Sequence, residues 1–319
     1  MRLGADHVRV TVPATSANLG PGYDSLGLAL DLRDEIEVRA LASSDVVVEV
    51  VGEGADEVPR GADHLVAQAV RLGLDHVGAP EVGLRLRCHN RVPHGRGLGS
   101  SAAAVVGGLL AARGLIGEPE LLDDDTLLAL ATRVEGHPDN AAPAILGGLT
   151  VAWSATTEDD APGAARAARL DVGEQIEPVV LVPQERLATH VAREALPATV
   201  PHADAAFNAA RAALLVAALA GRPDLLLEAT ADRLHQDYRA PSMRPSADLV
   251  TALRAQGLAA VVSGAGPTVL VLAEHATRTQ DDPRVAQALE QVAAADASTG
   301  WRVVRPGIAA HGGTVERLG

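Results

Sequence analysis

A glycine-rich segment at residues 93–103, PHGRGLGSSAA, is where the residue types and their spacing point most clearly to chemistry. A strand-like run ends at Val92, three alternating glycines follow, and an apolar stretch with helical spacing begins at Ser100. Glycines let consecutive backbone N–H groups converge on one anion, and a helix N-terminus adds further N–H groups and a positive dipole end. The pattern therefore indicates a phosphate site. Ser100 and Ser101 could cap the helix, contact phosphate or bind Mg²⁺, and Arg96 could add charge.

Two other interpretations of this segment remain open. Gly97, Gly99 and Ala102 also fit a loose dinucleotide-binding fingerprint, with Glu118 about 20 residues further on. Glu118 lies in a Gly-Glu-Pro-Glu loop, however, whereas the acid of that fingerprint ends a second strand. The remaining interpretation is a structural turn capped by Ser100. Of the three, phosphate binding is favoured.

The sequence contains no lysine, so all 27 basic residues are arginine, against 41 acidic residues and a net charge of −14. This excludes Schiff-base enzymes, and it excludes nucleotide sites that reach phosphate with a lysine, as Walker-type and protein-kinase sites do. With one Phe, two Trp and two Tyr, the chain also lacks the aromatic surface on which single-stranded nucleic acid stacks. A phosphate ligand would therefore be held by backbone amides and dipoles, and no nucleic-acid partner is expected.

Three further segments carry polar groups on Gly/Pro-shaped loops. Residues 13–24, PATSANLGPGYD, follow a strand candidate, and their Asn18 and Asp24 suit an amino or hydroxyl ligand, although a simple turn would use them equally well. Residues 135–143, EGHPDNAAP, add two carboxylates, a histidine and an asparagine, and residues 263–268, SGAGPT, lie between two apolar strands.

The elements that must position these segments follow from apolar periodicity. In the first half, alternation predicts antiparallel strands and a spacing of three to four predicts helices, with a small-residue turn before the last strand. The strands are expected at residues 7–12, 35–40, 46–51, 82–92 and 147–151, and the helices at 63–77, 100–114 and 126–135.

An acidic, Pro/Gly-containing stretch at residues 154–171 is predicted to be an exposed connection, which places two domains at 1–160 and 161–319. The helix-containing units around antiparallel strands favour an α+β sandwich with a split βαβ pattern. In the second half we expect strands at 178–182, 258–263, 268–273 and 301–305, and helices at 186–195, 203–220, 223–234, 246–256 and 284–295.

The cysteine content and the lack of long apolar runs indicate a cytoplasmic location. The single Cys88 allows no intramolecular disulfide, which fits a reducing compartment. The N-terminus lacks the apolar core of a signal peptide, and no run approaches 18 apolar residues. We therefore predict a cytoplasmic protein without a membrane partner.

Taken in order, the four segments at 13–24, 93–103, 135–143 and 263–268 resemble the GHMP kinase superfamily, and EGHPDNAAP resembles its homoserine kinase branch. The resemblance implies a two-domain α+β fold, with an N-terminal ribosomal-protein-S5-like β/α domain and a C-terminal ferredoxin-like α/β sandwich. It implies ATP-dependent phosphorylation of the L-homoserine hydroxyl by direct in-line transfer, a step of threonine biosynthesis. The alternatives are a mevalonate- or sugar-type GHMP kinase and a non-catalytic nucleotide-binding relative. The resemblance also allows a homodimer.

The resemblance also implies roles for single residues at the substrate end. Carboxylates suit the ammonium group of an amino acid, arginine forks suit its carboxylate, and amides suit its hydroxyl. Catalytic roles fall to Glu135, Asp139 and Asn140. The implied substrate-binding residues are Asn18, Asp24, His137, Asp139, Thr189, Arg193 and Arg239.

At the nucleotide end, the resemblance implies an ATP loop, a supporting loop with Gly264 and Gly266, and Mg²⁺ held by Ser100 and Glu135. Some family members place the magnesium carboxylate at a position that here is Ala129, which leaves Glu135 as the nearest acid. His64 stands where the family's adenine pocket usually has an asparagine. The implied ATP loop is Pro93, His94, Gly95, Arg96, Gly97, Leu98, Gly99, Ser100, Ser101, Ala102 and Ala103.

Overall fold

The computed structural model describes residues 2–154, 165–274 and 300–318, and within them the chain forms two β-sheets flanked by helices. The strands are β1 (His7–Ala17), β2 (Leu26–Leu41), β3 (Val46–Gly52), β4 (Gly83–Asn90), β5 (Leu149–Ser154), β6 (Ala165–Leu170), β7 (Ile176–Val182), β8 (Ala259–Val262), β9 (Val269–Glu274), β10 (Arg302–Val304) and β11 (Thr314–Arg317). The helices are α1 (Leu65–His76), α2 (Ser100–Leu115), α3 (Asp124–Glu135), α4 (Ala141–Leu146), α5 (Thr189–Glu194), α6 (His202–Gly221), α7 (Leu226–Ala229), α8 (Gln236–Arg239) and α9 (Arg244–Ala255).

The first sheet has the order β11-β1-β2-β4-β3, and β5 pairs with β2 while β6 pairs with β5. All of these pairs are antiparallel except β3 and β4, which run parallel. The expectation of purely antiparallel strands was therefore wrong at this edge. The reason is the connection: the chain between β3 and β4 includes α1, and such a helical crossover returns the strand in the same direction.

Helices α1 to α4 cover one face of the first sheet. α2 is buried on nearly all sides because its residues are small or aliphatic, so it can lie between the sheet and α1. Gly108 is required at this contact, since a Cβ there would lie 2.6 Å from the Ala69 Cβ and from the Val66 carbonyl oxygen of α1. The sequence thus fixes α2, and with it the glycine-rich loop at its N-terminus, inside the first core.

The second sheet has the order β10-β7-β9-β8 with every neighbour antiparallel. Since β7 to β10 follow one another along the chain, the first and third strands are central, which is the order of a ferredoxin-like sandwich. Helices α5 to α9 connect β7 to β8. The helix expected at residues 284–295 lies outside the described residues.

Several expected elements differ from those observed. The stretch predicted as a connection contains β6, and a further strand, β11, follows the segment expected to be the last strand. Both belong to the first sheet, although both follow the predicted domain boundary at 160/161, which itself lies outside the described residues and stays a prediction. A short helix, α4, replaces the expected small-residue turn.

Two predicted helices are shorter than expected. The helix expected at 223–234 is a 3₁₀ turn, Pro223–Leu225, followed by the single turn α7. It ends because the side chain of Asp232 accepts hydrogen bonds from the next backbone N–H groups, including those of His235 and Gln236, and so begins α8 instead. The helix expected at 186–195 is reduced to α5.

Helix α6 is long and apolar enough to cross a membrane by length and composition alone, although polar residues interrupt it and it contains no run of 18 apolar residues. Leu215, Ala218 and Leu219 on one side of this helix are fully buried, in a core cluster that includes residues of β7 and β9. Most of the remaining surface of the helix is not buried, since only 22% of its apolar window lies inside the protein.

We expect Leu109→Ala to lower the free energy of unfolding by about 2–5 kcal/mol, because Leu109 of α2 is 0% exposed and its removal leaves a cavity. Chemical denaturation followed by circular dichroism measures the change. The matched control is Leu121→Ala, since Leu121 is 44% exposed and should cost no more than about 0.5 kcal/mol. Equal losses for both variants would contradict the assignment of α2 to the core.

Candidate active site

A cavity of about 350 Å³ lies where the N-terminus of α2, the end of α3 and the segments of the second half meet. Residues from all four sequence segments line it. The predicted residues on its walls are Asn18, Asp24, Gly95, Arg96, Gly97, Gly99, Ser100, Ser101, Ala102, Glu135, His137, Asp139, Asn140, Thr189, Arg193, Arg239 and Gly264. The predicted residues that do not line it are Pro93, His94, Leu98, Ala103 and Gly266.

The glycine-rich loop has the backbone that its sequence requires. Gly95, Gly97 and Gly99 have φ angles of 64°, 76° and 67°, a region that disfavours other residues. At Gly97 there is also no space, because a Cβ would collide with the backbone of Ser263 and Gly266. The Ser263 hydroxyl donates to the Gly97 carbonyl oxygen at 2.6 Å. Residues of the second half therefore hold the loop open toward the cavity.

Backbone N–H groups at the start of α2 are directed to this cavity. The first intrahelical hydrogen bond runs from the Ala103 N–H to the Gly99 carbonyl oxygen at 2.8 Å. The N–H groups of residues 100–102 precede it and have no acceptor within the helix, and all three residues line the cavity. The arrangement forms an anion site from N–H groups and the dipole of α2, without any lysine.

Arg96 is placed differently from the sequence prediction that it adds charge to a phosphate. Its guanidinium donates to the carbonyl oxygens of Pro183 and Gln184, both at 2.9 Å. The Leu187 N–H in turn donates to the Gly95 carbonyl oxygen at 3.0 Å. Arg96 therefore ties the loop to the segment after β7.

Ser101 and Glu135 form the oxygen pair of the cavity, since the Ser101 hydroxyl donates to the Glu135 carboxylate at 2.6 Å. The resemblance had implied Ser100, and not Ser101, as the Mg²⁺ ligand beside Glu135. Both Ser101 and Glu135 line the cavity. Hydroxyl and carboxylate oxygens are ligands that Mg²⁺ accepts when nucleotide phosphates complete its shell, so this donor set fits that ion.

Asp24 and Arg193 form an ion pair across the opposite wall. The Arg193 guanidinium donates to Asp24 Oδ1 at 2.7 Å and to Oδ2 at 3.2 Å. It also lies 3.2 Å from the Tyr23 hydroxyl oxygen. Asn18 shapes the same loop, because its side-chain oxygen accepts from the Asp24 N–H while its side-chain nitrogen donates to the Gly264 carbonyl oxygen.

Arg239 is only 2% exposed and faces the cavity from α8. It donates to the carbonyl oxygens of Ala192 and Gly264, at 3.1 and 3.3 Å. Among the described residues no carboxylate lies within 4.0 Å of its guanidinium. Burial lowers the pKa of Arg239, and the Tyr23 ring, whose centroid is 5.5 Å away, partly offsets that cost.

Asp139, His137 and Asn140 form a hydrogen-bonded group at the start of α4. His137 Nδ1 lies 2.6 Å from Asp139 Oδ1, and Asp139 is 2% exposed. Burial lowers the pKa of His137, but the hydrogen bond and the charge of Asp139 together outweigh it, so that this pKa is raised above its usual value. Asn140 accepts from the Thr15 hydroxyl at 2.8 Å. The Asp139 carboxylate is thus fixed in direction by its neighbours.

A second, more apolar cavity of about 270 Å³ shares Ser100 and Ser101 with the first. Asp34 lines it and accepts the Arg91 and Val92 N–H groups at 2.6 and 2.9 Å. Burial raises the pKa of Asp34 to about 6. His64 and His94 also line this cavity, and the Nδ1 atom of His64 is buried without a hydrogen-bond partner.

Comparisons with known proteins identify the family. The family model described as the GHMP kinases N terminal domain matches residues 64–148, and the one described as GHMP kinases C terminal matches residues 202–297. The chain is 50% identical over 309 residues to a homoserine kinase of Streptomyces coelicolor, with 97% of this chain and 94% of the relative covered. The chain belongs to the homoserine kinase family of the GHMP kinases.

Other similar proteins agree with this membership. A homoserine kinase of Streptomyces avermitilis is 55% identical over 271 residues, which cover 85% of this chain and 87% of the relative. A crystal structure of a homoserine kinase from Cytophaga hutchinsonii superimposes with a TM-score of 0.81 at 25% identity, covering 98% of both chains. The predicted two-domain GHMP kinase fold is thereby confirmed.

Two residues that the sequence had not singled out contact the arginines of the cavity wall. Tyr23 lies between the two arginines, and His235 contacts both Tyr23 and Arg239. Tyr23 stands inside the quoted segment 13–24, next to Asp24. His235 precedes Arg239 by four residues, a spacing that places both side chains on one side of a helical turn. This spacing from a predicted substrate residue could have indicated His235 from the sequence alone.

We expect Asp139→Asn to lower the pKa of His137, because the variant removes the charge that outweighs the effect of burial. A smaller fraction of His137 should then be charged at neutral pH. NMR titration of the imidazole nitrogens measures this. As the control, Asp24→Asn should move the pKa of His137 less, since Asp24 acts on it more weakly than Asp139 does. An unchanged pKa in Asp139→Asn would contradict the proposed pairing.

Proposed function

We propose that this chain transfers the γ-phosphoryl group of ATP to the side-chain hydroxyl of L-homoserine, in the cytoplasm and as a step of threonine biosynthesis. The observation that supports it most is one cavity with two chemically different ends. The N-terminus of α2 forms an anion site at one end, and Asp24, Arg193 and Arg239 form a site for a zwitterion at the other. Such a cavity suits a nucleotide and an amino acid together.

The nucleotide lies along the glycine-rich loop in this proposal. Its phosphates accept hydrogen bonds from the N–H groups at the start of α2, and its base enters the second cavity, which Ser100 and Ser101 connect to the first. The mostly apolar walls of that cavity suit a flat aromatic base. Arg96 supports the loop instead of binding phosphate, because carbonyl oxygens already occupy its guanidinium.

Ser101 and Glu135 hold Mg²⁺ in this proposal, which replaces the sequence expectation of Ser100 and Glu135. When bound, the ion neutralises charge on the phosphates of the nucleotide. Glu135 at the end of α3 and Ser101 in the first turn of α2 lie close enough to share one hydrogen bond. No group of three or more His, Cys, Asp or Glu side chains among the described residues forms a metal site of its own. A metal that arrives with the nucleotide needs no such group.

L-Homoserine binds at the other end through both of its charges. Asp24 and Asp139 receive the ammonium group, and Arg193 and Arg239 receive the carboxylate. Asp24 and Arg193 are paired with each other at 2.7 Å. Binding of the zwitterion replaces this ion pair by two, one between Asp24 and the ammonium group and one between Arg193 and the carboxylate. His137 keeps Asp139 oriented, and Asn18 and Thr189 complete this wall.

Transfer follows from positioning and charge stabilisation more than from a strong base. The substrate hydroxyl attacks the γ-phosphorus in line, its proton passes to an oxygen of the transferred phosphoryl group, the bond to the β-phosphate oxygen breaks, and ADP leaves. The N–H groups and dipole of α2 stabilise the developing negative charge. The resemblance implies that related sugar and mevalonate kinases have an aspartate base where this chain has Asn140. Here the Asn140 side chain accepts from Thr15 and orients the site without taking a proton.

A mevalonate- or sugar-type kinase is the second candidate, and the charges of the cavity argue against it. A sugar offers no carboxylate for Arg239, and mevalonate offers no ammonium group for Asp24 and Asp139. The glycine-rich loop keeps the geometry of an anion site, which argues against a non-catalytic relative. A homodimer, and the absence of membrane and nucleic-acid partners, remain part of the proposal.

We expect ADP release with L-homoserine and little or none with mevalonate, galactose or L-threonine. A coupled ADP-release assay with ATP and Mg²⁺ measures all four. No turnover of L-homoserine would refute the proposal.

The same assay should locate the nucleotide site. Gly97→Ala should lose activity because a Cβ there collides with the loop at 263–266. The matched control is Gly61→Ala, since a Cβ at Gly61 has nothing within 4 Å and should leave turnover unchanged.

We expect Glu135→Gln to raise the Mg²⁺ concentration needed for half-maximal activity by about tenfold or more, because a carboxamide replaces a charged ligand. Titration of Mg²⁺ at saturating ATP and L-homoserine measures this. The exposed Glu120→Gln is the control and should leave the Mg²⁺ requirement unchanged. Unchanged turnover and Mg²⁺ dependence in Glu135→Gln would remove Glu135 from the metal site.

A further inference from the structure

His235 is a fully buried histidine between Arg239 and the segment at residues 13–24, called the substrate loop below because the proposed function places L-homoserine against it. It immediately precedes α8 and is 0% exposed. Its Nε2 atom lies 2.8 Å from the Gly20 carbonyl oxygen, and its Nδ1 atom lies 3.2 Å from a terminal nitrogen of Arg239. Its ring also contacts the ring of Tyr23, with 5.4 Å between centroids. The side chain thus connects two parts of the cavity wall that are far apart in sequence.

The partners of His235 fix its protonation. Arginine only donates hydrogen bonds, so Nδ1 must be the acceptor and carry no proton. Nε2 must then carry the proton, since the Gly20 carbonyl oxygen only accepts. Both ring nitrogens are satisfied in the neutral Nε2–H form alone. Burial lowers the pKa of His235, which favours the same neutral form.

Arg239 depends on neutral acceptors for its orientation. Besides His235, these are the carbonyl oxygens of Ala192 and Gly264. Carbonyl oxygens and an imidazole can orient a guanidinium but cannot neutralise its charge. Arg193, by contrast, is already paired with Asp24. The positive charge of Arg239 therefore stays available to an anion that enters the cavity.

We propose that His235 is a positioning residue that holds Arg239 in the cavity as an unneutralised cation, and so makes the enzyme selective for a substrate with a carboxylate. The inference rests on the proposed function, because it takes the carboxylate of L-homoserine as the anion that Arg239 meets. His235 does not touch the substrate in this proposal. It acts through Arg239 and through the Gly20 end of the substrate loop.

The test compares L-homoserine with L-homoserine amide, in which a neutral carboxamide replaces the carboxylate. In His235→Leu we expect the ratio of kcat/KM for the acid to kcat/KM for the amide to fall about tenfold or more, since a hydrogen bond to a charged group is lost. The KM for ATP should stay within about twofold of its original value. His235→Gln should restore most of the ratio, because a carboxamide can both accept from Arg239 and donate to Gly20.

Two reference variants separate the outcomes. His202→Leu, at an exposed histidine that begins α6, should leave the ratio unchanged. Arg239→Leu should lower the ratio at least as much as His235→Leu does. If Arg239→Leu keeps the ratio, the proposed carboxylate role of Arg239 fails. If Arg239→Leu lowers the ratio but His235→Leu keeps it, or lowers acid and amide equally, the positioning role is overturned.

A second measurement on the unmodified enzyme applies even if His235→Leu does not fold. We expect the ¹⁵N NMR signals of His235 to show the neutral Nε2–H form. Addition of L-homoserine should shift the Nδ1 signal, because a carboxylate that binds the Arg239 guanidinium changes the hydrogen bond from Arg239 to Nδ1. L-Homoserine amide should shift this signal less. A proton on Nδ1, or equal shifts with acid and amide, would overturn the proposal.

Discussion

The positive φ angles of the glycine-rich loop are the constraint on which the rest of the cavity depends. Gly97 leaves no room for a side chain because the loop at 263–266 packs against its backbone, and Ser263 holds its carbonyl oxygen. That contact joins the helix-covered first sheet to the second sheet. The N–H groups at the start of α2 face an anion only while this contact exists. The end of the cavity that we propose for phosphate is therefore built by both halves of the chain.

Because the chain has no lysine, the contact between Gly97 and the loop at 263–266 is needed to keep the backbone N–H groups in place. In sites that grip phosphate with a lysine, a flexible cation can compensate for an imperfect loop. Here the N–H groups cannot move independently, so the loop must be held in place from outside. Arg96 contributes to this by donating to the carbonyl oxygens of Pro183 and Gln184. The same segment leads into α5, which carries Arg193, so the support of the phosphate loop and the placement of a substrate arginine share one stretch of chain.

Sequence motifs predicted which residues meet in the cavity better than they predicted what each residue does there. Asn18, Asp139 and Gly264 could be grouped because their segments together resemble the GHMP kinase superfamily, and all three residues line the cavity. The sequence could not show that carbonyl oxygens reach Arg96, or that Ser101 rather than Ser100 meets Glu135, because both depend on how two sheets approach each other.

The direction of β3 and the return of β11 to the first sheet escaped prediction for a related reason. Periodicity reports which face of a strand is buried, and it carries no information about the neighbouring strand. Elements confined to one core were predicted well, as α1, α2 and β4 show. The errors in strand pairing lie at β3 and β11, the two ends of the strand order of the first sheet.

The charges of the cavity wall form two unequal parts. Asp24 and Arg193 neutralise each other, and since each side chain is about one third exposed, solvent screening leaves their pairing worth only about 0–1 kcal/mol. Opening that pair for a zwitterion therefore costs little. Arg239 is buried among neutral acceptors, and an unneutralised buried cation is costly until an anion reaches it. If the proposed function is right, the binding free energy for the substrate carboxylate comes mainly from Arg239, while the ion pair of Asp24 and Arg193 rearranges at little cost in free energy.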